Sequence, residues 1–151
     1  MDQAHKPGRV TSSDKKAKKL CNCAEILIVD DNGLNIYALE ILLENFGYKS
    51  DYATDGKMAI DEINKQKYKG CGCHYQLVLM DLNMPVMDGR MAQSLLKQQM
   101  DAGELRPFRI VACTGAVTQQ EVRRTIEAGF HDIIAKPISN EDLLRVLREH
   151  Y

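Results

Sequence analysis

The strongest constraint on this chain is an alternation. Five short strand-like runs are each followed by a longer segment of helical spacing. Four of the runs are largely apolar, EILIVDD (25–31), YQLVLMD (75–81), RIVACTG (109–115) and DIIAKP (132–137), and the first is rich in β-branched residues. The remaining one, YKSDYA (48–53), alternates apolar and polar residues. In the first intervening segment, Ile36, Leu39, Leu42, Leu43 and Phe46 fall on one helical face, and Gly47 is a stop signal. In the second, Met58, Ala59 and Ile63 point inward. The third is GRMAQSLLKQQM, the fourth is TQQEVRRTIEAG, and the last opens on Ser139 as an N-cap. A βαβαβαβαβα order predicts a parallel sheet with helices on both faces, an α/β doubly wound fold. Right-handed crossovers leave few topologies. A chain of 151 residues without internal repeats suits one such domain.

Ligands of open α/β sheets bind beyond the carboxyl ends of the strands. Here the first strand ends in Asp30 and Asp31, the third in Asp81, the fourth in Thr114, and the fifth in Lys136-Pro137. The second has nothing comparable, which predicts a place at the sheet edge. Each residue has a dull explanation: Asp31 or Asn32 could cap a helix, Asp81 could start a turn, Thr114 suits a strand, and Lys136 could reach into water. The coincidence at four strand ends favours a shared role. An acid at the end of a buried run costs several kcal/mol, on the order of ~4 or more, unless it is paired. Two carboxylates about 4 Å apart repel by roughly 4 kcal/mol at an effective dielectric near 20. A divalent cation relieves this. Oxygen ligands without Cys or His favour Mg²⁺, or Mn²⁺, over softer metals. Asp81 is then available as a nucleophile toward a phosphoryl group, with Lys136 and Thr114 on the other phosphoryl oxygens.

The segments VDDN, LMDLNMPVMDG, CTGA and AKP stand in this order between Glu25 and about His150. With them the chain resembles the receiver domain of two-component response regulators, and VDDNGLN and DLNMPVMDG resemble the type attached to hybrid histidine kinases. The resemblance implies a flavodoxin-like (βα)5 fold with a five-stranded parallel sheet in the order 2-1-3-4-5. It implies that Asp81 is the phosphoacceptor and that Asp31 is a direct metal ligand, with Asp30 nearby. It further implies the backbone carbonyl of Asn83 as a third protein ligand, Thr114 as the switch hydroxyl, and a cis-peptide between Lys136 and Pro137. The implied partners are a histidine kinase domain or a histidine phosphotransfer protein. Family members commonly carry an aromatic residue three positions before the lysine. Ile133 stands there instead, which predicts a weaker switch on the surface of the fifth strand and last helix.

Two other readings compete. Some phosphatases place an Asp nucleophile after a strand, but they need a second Asp two residues on, where this chain has Asn83. An unphosphorylated docking module would be expected to have a damaged acidic site. The signalling reading makes the domain a phosphoacceptor rather than an enzyme. Residues 1–20 carry a charge of +4, which leaves −5 on the remainder. Residues 1–22 therefore read as a basic, disordered tail ahead of a receiver domain at 23–151. No nucleic acid is expected on the domain itself. No apolar run approaches transmembrane length and no secretory signal is visible, so no membrane contact and a cytoplasmic setting are expected.

Five cysteines remain. Cys113 lies in a strand and reads as core. Cys21 and Cys23 precede the first strand, and Cys71 and Cys73 precede the third. If these strands are neighbours, the four thiols converge opposite the acidic site and could bind Zn²⁺ or oxidise to disulfides. Cys-x-Cys is tighter than common zinc spacing, which favours four ordinary loop thiols.

Overall fold

The computed structural model describes residues 21–151. The tail expected at residues 1–20 lies outside the described residues. Cys21 and Asn22, grouped with that tail above, contact the folded body: Cys21 Sγ lies 2.8 Å from Cys73 Sγ, and Lys49 Nζ donates to Asn22 Oδ1.

The predicted alternation is present. The strands are β1 (Ile26–Val29), β2 (Ser50–Ala53), β3 (Leu77–Asp81), β4 (Arg109–Thr114) and β5 (Asp132–Ala135). The helices are α1 (Gly33–Asn45), α2 (Gly56–Lys65), α3 (Gly89–Asp101), α4 (Gln119–Glu127) and α5 (Asn140–His150), and a 3₁₀ turn (Gln66–Tyr68) extends α2. All strand pairs are parallel, and the sheet order is 2-1-3-4-5, with β2 at an edge as its bare carboxyl end predicted.

The period of two along each strand divides the core. Leu27, Val29, Val78, Met80, Ile110 and Ala112 face one way, against Ala59 and Ile63 of α2 and Ala92 and Leu96 of α3. Ile26, Ile28, Leu77, Leu79, Val111 and Cys113 face the other, against Ile36, Leu39 and Leu43 of α1 and Leu143, Val146 and Leu147 of α5. Both faces of β1 and β3 are buried, which is why their sequences read as continuous apolar runs. Each such side chain contributes roughly 1.5–3 kcal/mol by leaving water. Ser139 caps α5 as predicted, its hydroxyl accepting from the Asp142 N–H at 3.1 Å.

The register positions the strand ends. Val29 pairs with Met80, so Asp30 and Asp81 follow at the same level. Asp81 pairs with Cys113, and Thr114 pairs with Ala135, the residue before Lys136. The strands are one to three residues shorter than the apolar runs suggested. Tyr75, for example, precedes β3 yet is fully buried, and its hydroxyl donates to Asp51 Oδ2 at 2.6 Å.

An ion cluster fastens α5 to β5. Arg145 Nη1 lies 2.6 Å and His150 Nε2 2.9 Å from Asp132 Oδ2. Burial alone would raise the Asp132 pKa, but the bonds from Arg145 and His150 outweigh it and hold the carboxyl below its ordinary value. A depressed carboxyl contributes stability above its unfolded pKa and loses it as pH falls through the folded one. Asp132→Asn should therefore cost about 1–2 kcal/mol at pH 7 in urea unfolding. The difference from the parent chain should shrink once the pH drops below about 4.

Candidate functional site

At the carboxyl edge of the sheet, Asp30, Asp31 and Asp81 bring carboxylate oxygens within 4.8 Å of one another. Asp30 and Asp81 are only 3% and 7% exposed, whereas Asp31 is open to solvent. Lys136 reaches over from the end of β5. Its Nζ lies 2.6 Å from Asp30 Oδ2 and 3.2 Å from Asp81 Oδ2. The Lys136–Pro137 peptide is cis, as expected.

The dull explanations can now be weighed. Asn32 caps α1, its side-chain oxygen accepting from the Leu34 N–H at 2.9 Å, so Asp31 is not needed as a cap. Asp81 does start a turn, but with one oxygen: Oδ1 accepts from the Asn83 N–H at 3.2 Å while Oδ2 faces Lys136. Lys136 does not reach into water. Thr114 is 2% exposed, and its Oγ1 accepts from the Ala116 N–H at 3.3 Å, which orients the loop after β4. Asn35 is an addition the sequence did not single out. Its amide donates to Asp30 Oδ2 at 3.3 Å, one helical turn beyond the Asn32 cap. Asp30 Oδ1 also accepts from the Asn32 N–H at 2.9 Å.

Burial raises the Asp81 pKa, an effect reduced but not cancelled by the Asn83 N–H and the Lys136 charge. Burial would lower the Lys136 pKa, yet the adjacent Asp30 and Asp81 carboxylates reverse this and hold the ammonium above its ordinary value. Cys113 is core, as predicted, and burial pushes its thiol up to about 12. Ile133 is half-buried and packs against the α2–α3 side of the core. A cavity of about 660 Å³, lined by Tyr75, Met100, Leu105 and Phe108 among others, lies at the opposite edge and contains none of these strand-end acids.

The family model of the response regulator receiver domain matches residues 26–148. The chain belongs to this family. Among curated relatives of this receiver domain, the sensor histidine kinase GacS of Pseudomonas protegens is 33% identical over 122 residues, 81% of this chain but 12% of the kinase. Histidine protein kinase 1 of Candida albicans is 32% identical over 97% of this chain and 6% of its own length. The chain thus spans a small fraction of these kinases. Two-component response regulator 24 of Arabidopsis thaliana is 32% identical, with 90% of this chain and 93% of the regulator covered. The solved receiver domain of the sensor histidine kinase PA1611 from Pseudomonas aeruginosa superimposes with a TM-score of 0.68. It is 29% identical, covers 85% of this chain and 98% of that one, and holds a magnesium ion in its active-site cleft. Among the described residues, no helix is long and apolar enough to cross a membrane.

The loop after the receiver's Asp81 is braced and strained. A Cβ on Gly89 would stand 2.2 Å from the Asp81 carbonyl oxygen, so only glycine lets α3 start directly behind the site. The Gly56 N–H donates to the Met87 carbonyl at 3.0 Å, tying the loop to α2. Between these points Val86 has φ of 65°, and the Met87 N–H donates back to the Pro85 carbonyl at 2.7 Å. This is a γ-turn in the left-handed region, unfavourable for a β-branched residue. Such strain costs on the order of 1–3 kcal/mol, and the exposed Val86 side chain buries little in return. Val86→Gly should therefore raise stability by about 1 kcal/mol after glycine's own entropy cost is counted. Urea midpoints would check this, and an unchanged or lower midpoint would contradict it.

Proposed function

We propose that this receiver domain is the phosphoacceptor of a two-component phosphorelay, with Asp81 taking a phosphoryl group from a phosphohistidine. The observation that carries the reading is the Asp30–Lys136–Asp81 contact at the carboxyl edge of the sheet. The donor set of Asp30, Asp31, Asp81 and the Asn83 carbonyl is all oxygen and suits Mg²⁺, with Mn²⁺ as a substitute. When bound, the cation would neutralise charge on the phosphoryl oxygens.

In the transfer, an Asp81 carboxylate oxygen attacks phosphorus. The P–N bond to the donor histidine breaks, and its electron pair stays on the imidazole, which leaves neutral if its other ring nitrogen carries a proton. Lys136 remains an ammonium throughout and can exchange its Asp81 contact for a phosphoryl oxygen. The Thr114 hydroxyl, released from Ala116, can bond another and draw the β4 loop inward. The domain is then a signalling acceptor, not a turnover enzyme. The phosphatase alternative lacks its general acid, because Asn83 occupies the position. A docking module would have no need of the intact acids.

Expected for the full chain with Mg²⁺ and a small phosphodonor is a mass increase of one labile phosphoryl group. Asp81→Asn should lose it while keeping the fold, and an equal rate of labile modification in that variant would refute the assignment.

A histidine kinase domain or a histidine phosphotransfer domain is the proposed partner, in a cytoplasmic setting. Helix α1 is apolar on two sides. Beyond its buried stripe, Leu34, Tyr37 and Ile41 form an exposed stripe, with Leu34 79% and Tyr37 63% exposed, beside the acidic site. An exposed apolar stripe of this kind marks an interaction surface and suits a partner helix. Leu34→Ala with Tyr37→Ala should slow transfer from a histidine phosphotransfer domain by about tenfold or more, while the rate with the small phosphodonor stays unchanged. Ile133, with no polar tip, supports a modest response on β5 and α5 and larger ones in the loops after β3 and β4.

A further inference from the structure

Cys21 and Cys23 lead into β1, and Cys71 and Cys73 lie in the loop before β3. These strands are parallel neighbours, and the Gln76 N–H donates to the Glu25 carbonyl at 2.7 Å just below their first pair. Both Cys-x-Cys segments therefore stand together at the amino edge of the sheet, opposite Asp81. All four sulfurs lie within 4.8 Å of one another. Cys21 Sγ is 2.8 Å from Cys73 Sγ, and Cys23 Sγ is 3.6 Å from Cys71 Sγ. A zinc tetrathiolate with Zn–S near 2.3 Å has tetrahedral S–S edges of about 3.8 Å, within the span of this cluster.

We propose that Cys21, Cys23, Cys71 and Cys73 form a structural Zn²⁺ site that fastens the entry of β1 to the loop before β3. Four protein sulfurs fill a tetrahedral shell and leave no open position, so the site binds metal without chemistry. Soft thiolates select zinc over the hard cation suited to the acidic edge. The objection of tight spacing is met by the way the segments meet. Sulfur contacts of 2.8 and 3.6 Å run between the two segments, so each pair supplies one side of the cluster. Gly72, at φ +71°, makes the turn that aims Cys71 and Cys73 together, with its N–H on the Lys69 carbonyl at 3.1 Å.

Four thiolates and Zn²⁺ together leave a net charge of about −2, and cations stand around the cluster. Lys49 bonds the Asn22 side chain between the first two cysteines, and Arg106 Nη1 lies 3.1 Å from the Gly72 carbonyl between the second two. Lys69 is within electrostatic reach of Cys23.

The test uses the full chain, purified without chelator or added metal. Elemental analysis should find one zinc per chain. After stripping, one equivalent of Co²⁺ should restore binding with the intense visible bands of a tetrahedral tetrathiolate. Chelation should lower the Tm by more than about 5 °C, because metal bound only to the folded chain stabilises it. Cys23→Ser with Cys71→Ser should lose the metal, with far-ultraviolet circular dichroism reporting whether the variant folds. Cys113→Ala should keep the metal, and the metal content of the unaltered chain stands whatever the variants do. Iron in place of zinc would overturn the proposal. So would two disulfides seen by intact mass in protein handled without oxidant, or fully reduced, metal-free chains that ignore Co²⁺. None of these outcomes depends on whether Asp81 accepts phosphate.

Discussion

The Lys136 ammonium between Asp30 and Asp81 is the contact on which the rest of this domain depends. Two carboxylates that are almost wholly buried at neighbouring strand ends would repel by roughly 4 kcal/mol at 4 Å and an effective dielectric near 20, before any desolvation cost. The lysine offsets part of that, at 2.6 and 3.2 Å. It can do so only because β5 ends beside β4, which ends beside β3, in a register that brings Ala135 level with Thr114 and Asp81 level with Cys113. The whole parallel sheet is thus the frame that holds one cation between two anions. Lys136 compensates the acids with one charge where a divalent ion brings two, so the acidic edge still favours a further cation.

Much of this was legible in the sequence, for a physical reason. A strand buried on both faces must be written as an apolar run, and a charge at its end has no packing explanation. β1 and β3 therefore announced Asp30 and Asp81, and the alternation of runs announced the layers. The bare end of YKSDYA correctly placed β2 at the edge, because an edge strand at the far side of β1 has no neighbour with which to share a site. What stayed hidden was backbone conformation and side-chain pairing. Nothing in MPVMDG distinguishes Val86 from its neighbours, since its left-handed φ comes from the closure of the loop onto α2 through the Met87 carbonyl. Asn35 carries no signal of its own in the sequence, because its role lies in a side-chain bond to Asp30.

The cysteines show that spacing within one segment and proximity between segments are separate questions. Read one segment at a time, Cys-x-Cys is tighter than common zinc spacing and favours ordinary loop thiols. The strand order changes the unit of analysis. Once β1 and β3 are parallel neighbours, the relevant geometry is between segments 48 to 52 residues apart, and each segment has only to present two sulfurs to the other.

The two edges of the sheet then divide the chemistry by hardness. Carboxylates collect at the carboxyl edge, where helix N-termini and strand ends open onto solvent and groups can exchange partners. Thiols collect at the amino edge, where the proposed closed zinc shell would hold two chain segments still. A parallel sheet makes this separation natural, because all strands run the same way and each edge gathers one kind of connection. The strand-to-helix loops meet at one edge, and the helix-to-strand loops meet at the other. Fixing the opposite ends of β1 and β3 would confine the response to a change at Asp81 to the first set of loops. A clamp across Cys21, Cys23, Cys71 and Cys73 would supply that fixed end, so that movement driven by charge at the acidic edge is taken up in the loops after β3 and β4 and not in sliding of β1 against β3.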